Sequence, residues 1–159
     1  MKRTLTFVLV ALVLAGCPRP MGGPAPGATS SDAAVQQFLF AAKAQDLQAL
    51  SAVWGNEVSP LRDRANRQEL ERRMLIIVCH LRHDESRIGP AQAGESGRVL
   101  HRVDLTQGDK KASPVFTTVR NTKTSRWFVE GFDMTAVSGF CSGGARSAVR
   151  PPLDASAAR

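Results

Sequence analysis

Three histidines and three cysteines carry most of the chemistry this chain could perform. Cys79, His80 and His83 fall within about one helical turn, and the pairs 79/83 and 80/83 could each share a metal ion. A third and fourth ligand are missing, so no complete metal centre is legible. His101 belongs to the segment Val99 to Leu105 (VLHRVDL), where Val99, His101, Val103 and Leu105 alternate with Leu100, Arg102 and Asp104. A period of two places its imidazole on the apolar face of a strand. A lone inward histidine is more often core or pocket lining than a catalyst, which leaves His101 a weak catalytic candidate. Asp104 falls on the opposite face; the next carboxylate to consider is Asp133, with its side unassigned. There is no Gly-x-Ser-x-Gly, no Walker-type loop and no pair of carboxylates at a useful spacing. Ser142-Gly143-Gly144 lacks the following helix that a phosphate cradle needs. No cofactor is implied.

The first residues have a different character. Lys2 and Arg3 precede an apolar run, Thr6 to Leu14 (TFVLVALVL), and Ala15 and Gly16 then lead to Cys17. That run is too short for a membrane-spanning helix, which needs about 20 residues; it has the layout of an export signal. Leu14-Ala15-Gly16-Cys17 resembles the lipobox of bacterial lipoproteins. The resemblance implies that residues 1–16 are a signal peptide, that Cys17 is acylated on its sulfur and amine, and that the bilayer is a partner. Each acyl chain contributes about 0.8 kcal/mol per buried CH₂, so two or more give stable anchoring. Pro18 stands where an Asp would resemble an inner-membrane retention signal, and this points to the outer membrane, facing the periplasm or the exterior.

Cleavage before Cys17 leaves 143 residues and removes Lys2 and Arg3, taking the net charge from +7 to +5. The bases alternate with acids, as in Arg62-Asp63-Arg64 and Glu69-Leu70-Glu71-Arg72-Arg73, which reads as a solvated mixed-sign surface. Together with the implied compartment, this disfavours nucleic acid, and none is expected as a partner. The same oxidising compartment leaves Cys79 and Cys141 as an even pair once Cys17 is lipidated. A disulfide is then favoured over a metal; closing a loop of about 63 residues would stabilise the fold by about 4 kcal/mol.

These side chains have to be positioned by a domain of ordinary size. Residues 17–30, rich in proline and glycine, read as a lipidated tether spanning roughly 20 Å as a coil and about 40 Å if extended. Residues 142–159 read as a flexible tail, leaving 31–141 as the domain. Ser31 is a plausible N-cap for a helix with the stripe Val35, Phe38, Leu39 and Ala42. Asp46 caps a second, short helix bearing Leu47, Leu50, Val53 and Trp54, and Gly55 and Pro60 bracket a loop. A third helix is expected from about Arg64 to Arg82 with Leu70, Met74, Ile77, Val78 and Leu81 on one face. The period then changes to two: a weak strand around Ser86–Ala91, a strand through Val99–Leu105, a turn at Gln107–Lys111, and strands at Val115–Asn121 and Arg126–Met134. Phe40 lies off the first helix's apolar stripe, a hint of a contact site. The fold class is α+β, with N-terminal helices packed in an antiparallel sheet of three to four strands.

Val35 to Trp54 (VQQFLFAAKAQDLQALSAVW) resembles the opening helices of nuclear-transport-factor-2-like domains, and Arg126-Trp127-Phe128-Val129 resembles their closing strand. The resemblance implies a cone of curved sheet closed by helices, often around a pocket. Isomerases of this superfamily pair a carboxylate with a tyrosine donor, and this chain has no tyrosine; dehydratase-like members use a His with an Asp. Phe38, Trp54, Val99, His101, Val103 and Val119 are the expected lining of such a pocket, with Val115, Thr117 and Val119 sharing the face of His101. The expectation is a membrane-anchored, non-catalytic domain that binds a small apolar molecule or an envelope protein. The alternative is a small His-centred lyase or isomerase.

Overall fold

The computed structural model describes residues 25–144. Cys17 and the lipobox, and the tail from Ala145 onward, lie outside the described residues. Three α-helices come first: α1 (Ser31–Ala44), α2 (Leu47–Val53) and α3 (Arg67–His80). Each opens on a side-chain cap. Ser30 Oγ accepts from the Ala33 amide, Asp46 Oδ1 from that of Ala49 and Asn66 Oδ1 from that of Gln68, replacing bonds the first turn cannot make internally. The cap of α1 is thus Ser30, and the expected cap, Ser31, is buried inside the helix. The expected apolar stripes are the buried ones: Val35, Phe38, Leu39 and Ala42 on α1, and Leu70, Met74, Ile77 and Val78 on α3. α3 is shorter than expected at both ends because Asn66 caps it and Leu81 leaves the helical conformation.

The rest is one antiparallel sheet of β1 (Glu85–Ala93), β2 (Val99–Gln107), β3 (Lys110–Ala112), β4 (Val115–Arg120) and β5 (Trp127–Phe132). β2 pairs with β1 on one side and with both β3 and β4 on the other, and β4 pairs with β5. The fold class is α+β, with five strands where three to four were expected. The difference lies in two places. Lys110 and Lys111, assigned to the turn after β2, pair with Gln107 and Thr106, and Ser113-Pro114 then separates β3 from β4. At the other edge, β1 runs the full length of β2 despite its Gly89-Pro90. The register skips between Ile88 and Ala91, so the proline falls in a bulge on an edge strand, where its missing donor costs no ladder bond.

α1 lies across the sheet, touching β1, β2, β4 and β5. The core between them holds Val35, Phe38 and Leu39 from the helix and Val103, Leu105, Phe116 and Val129 from the strands. The free edge of β5 is covered by two passing segments. Ala28 and Trp127 exchange both backbone hydrogen bonds, at 2.8 and 2.9 Å, and the Gly55 amide donates to Val129 O. Gly27 has a φ of +81°, and a Cβ there would meet Phe128 Cζ at 2.7 Å; only glycine passes so close. The stretch assigned to the tether is therefore part of the folded domain from Ala25 onward. Likewise Ser142–Gly144, assigned to the tail, end a 3-10 segment, Thr135–Gly144.

Cys79 near the end of α3 and Cys141 in the 3-10 segment are joined as a disulfide, with Cα atoms 5.0 Å apart. The bond ties the third helix to the segment that follows the sheet.

Candidate functional site

His101 sits in the middle of β2, opposite Phe116 of β4 and Ala91 of β1. Its ring is 0% exposed, and neither ring nitrogen has a hydrogen-bond partner. Nδ1 lies 3.6 Å from Oδ1 of Asp32, whose own side chain is 60% exposed. That separation is an ion-pair distance and too long for a hydrogen bond. Asp32 belongs to the first turn of α1, where it complements the helix dipole. The first turn of α1, laid over β2, is what brings it to His101, and sequence spacing holds no trace of that. Of the carboxylates considered at first, Asp104 is on the opposite face and accepts from Ser113 Oγ at 2.6 Å. Asp133 accepts from the amides of Thr135 and Ala136 and caps the 3-10 segment. Neither approaches the imidazole.

Phe116, the β4 partner of His101, belongs to a trio of aromatic rings. Phe38 meets Phe116 and Phe132 edge-on, with centroids 6.1 and 6.3 Å apart, and Phe116 stacks on Phe132 at 5.1 Å. Phe38, Phe116 and Val103 are fully buried; the trio is a packing solution of the type aromatic quadrupoles favour. Trp54 and Val99, the other expected lining residues, are half-buried. Trp54 ends α2 and bridges to Val129. Val99 pairs with Thr118 at the start of β2.

Val119 is not on this face. His101 pairs with Phe116 and Val99 with Thr118, so the inward residues of β4 are Phe116 and Thr118, and not Val115, Thr117 and Val119. Val119 pairs with Phe128; both are buried on the far side of the sheet, where Phe128 approaches Gly27 and Gly55. The same face holds a partly buried ion pair. Glu130 falls in the register skip between β4 and β5, so it pairs with no residue of β4. Arg98 Nη2 donates to its Oε1 at 2.8 Å, and Nε donates to Oε2. This bidentate hydrogen bonding and the Arg98 charge hold the Glu130 carboxyl below the usual carboxylate range, against an opposing effect of burial.

Five clefts open at the surface of the described residues, and none of these five has His101, Phe38 or Val103 in its wall. A cleft of about 570 Å³ opens between α1, α2 and the incoming segment, walled by Phe40, Ala49, Ala52, Val53, Gly27 and Arg126. A second, of about 460 Å³, lies on the other side of Phe40, between α1 and β1, with Lys43, Ser86 and Ile88 in its wall. Phe40 is the ridge between them and is 75% exposed. Around the disulfide, His80 Nδ1 lies 3.3 Å from Val137 O and His83 Nδ1 bonds the Leu81 carbonyl at 2.7 Å. With Cys79 bonded to Cys141, these histidines have structural partners, and among the described residues no group of three metal-ligating side chains converges. No helix among the described residues is long and apolar enough to cross a membrane. Compared with protein families, with curated proteins and with solved structures, the chain matches none.

Proposed function

We propose that this chain is a bacterial lipoprotein, held at the envelope membrane through acylated Cys17. Its domain is then a nuclear-transport-factor-2-like cone that acts as a non-catalytic binding or accessory module. The anchor rests on Leu14-Ala15-Gly16-Cys17 behind its basic and apolar segments; the outer membrane is favoured by Pro18. The cone rests on the helices-first order and the single antiparallel sheet crossed by α1. The observation that carries the non-catalytic reading is the filled interior. Phe38, Phe116 and Phe132 pack together beside the β2–β4 pair that carries His101, and the imidazole has no exposed surface. What remains for binding is the outside, where the Phe40 clefts offer an apolar surface of ligand-pocket size.

A second reading keeps one specific observation in its favour. An unpartnered buried imidazole 3.6 Å from a carboxylate is the pairing a His-centred lyase or isomerase would use. It requires the fully buried imidazole to become exposed before any substrate reaches it. An apolar fluorescent dye separates the two. In the non-catalytic reading, Phe40→Asp lowers dye affinity at least about fivefold, and His101→Phe leaves it within a factor of two while costing about 1–3 kcal/mol of stability through overpacking. Dye binding that His101→Phe abolishes and Phe40→Asp leaves intact would overturn the filled-interior reading in favour of the lyase.

A further inference from the structure

The two clefts flanking Phe40 share a chemistry. Their walls hold Phe40, apolar aliphatic side chains, two uncharged glutamines, Ser86, the buried His83 and two cations, Arg126 and Lys43, with no carboxylate. Both cations bond backbone carbonyls: Arg126 Nη2 donates to Ala25 O and Gly27 O, and Lys43 Nζ to Asp84 O. Among the described residues neither is within ion-pair distance of an acid. An exposed aromatic ring between two uncompensated cations matches the interface of an anionic bilayer, where apolar side chains enter the acyl boundary and bases meet headgroups.

The position of this face relative to the anchor makes the match specific. Ala25, at the start of the described chain, is itself in the wall of the larger cleft. Seven residues separate it from Cys17, and the eight steps between the two have a full reach of ~28 Å. A domain of this size is roughly 35 Å across. A leash shorter than the domain it holds keeps the surface where it attaches nearest the bilayer, and that surface carries Phe40.

We propose that the Phe40 face of α1 lies against the membrane, with the ring in the headgroup-acyl boundary and Arg126 and Lys43 at anionic headgroups. The anchor then fixes the orientation of the domain as well as its location, and presents the opposite side to the compartment. This inference rests on acylation of Cys17.

The test uses the full-length acylated protein in vesicles of phosphatidylethanolamine and phosphatidylglycerol brominated on their acyl chains. Phe40→Trp and Leu75→Trp each add one indole at an exposed position, and the unsubstituted protein supplies the background of Trp54 and Trp127. The expected result is at least threefold stronger bromolipid quenching of the added emission at position 40 than at 75. Equal quenching at the two sites, or none at 40, in protein that carries its fatty acid and floats with the vesicles overturns this inference alone. So does emission at 40 that shifts only when envelope proteins are supplied, which makes the occupant a protein. Absence of fatty acid on Cys17 overturns the anchor and the inference together.

Discussion

His101 and Val119 show what a single residue can and cannot reveal of its surroundings. The alternation around His101 is clean because β2 is polar on one side, so its burial follows directly from period two. β4 reads VFTTVR and is buried on both faces, Phe116 and Thr118 toward α1 and Val119 toward Phe128. A strand apolar on both sides carries no parity signal, so either face could be taken as the inner one. Asp32 went unrecognised as the neighbour of His101 because its contact is made across chain elements almost seventy residues apart. The Arg98–Glu130 pair was equally hidden, since it depends on the register skip that leaves Glu130 unpaired. Its consequence is a pH dependence of stability with a definite sign. The folded Glu130 carboxyl titrates below its ordinary value of 4.5, so its contribution is complete above that value and is lost as pH falls through the lower folded one. Glu130→Gln should therefore flatten the stability profile of the domain below about pH 4.5, measured by urea midpoints across that range. An unchanged acid limb in the variant would mean that other carboxylates set it.

At the scale of elements, the helices were legible and the edges were not. α1 and α3 announced themselves through stripes at 3.6 spacing, and the Asp46 cap of α2 was placed correctly. β1 was underestimated because Gly89-Pro90 interrupts it, and a proline in a bulge looks in sequence like the end of a strand. β3 was missed because two lysines on a three-residue strand resemble a turn; their polarity suits exposed pairing. Pairing between α3 and the 3-10 segment is the other feature of this scale. If Cys79 and Cys141 are bonded in the exported protein, the native, non-reduced domain shows no maleimide-reactive thiol, even after denaturation. Reduction should then lower stability by up to about 4 kcal/mol, the loop-closure value, read from the shift in the urea midpoint. Two thiols titrating in denaturant without reductant would sever α3 from the 3-10 segment and leave Cys79 a free thiol beside His80 and His83.

At the scale of the whole molecule, the segment before α1 is built into the edge of the sheet. The chain passes over Phe128 at Gly27, bridges to Trp127 of β5 at Ala28, and starts α1 at the Ser30 cap. Composition suggested that everything up to Ser30 was linker, because proline and glycine look alike in a tether and in a tightly packed edge. The α+β class was readable from the order of periodicities; the filling of the interior was not, because apolar side chains that line a chamber and those that close it have the same pattern. The proposed attachment through acylated Cys17 is tested most directly by metabolic labelling with a radioactive or clickable fatty acid, followed by intact mass of the purified protein. The unsubstituted chain should carry label and have a mature mass beginning at an acylated Cys17. Cys17→Ser should carry none and accumulate as the uncleaved precursor. Label that persists in Cys17→Ser, or an unlabelled chain with Cys17 intact, would contradict the account.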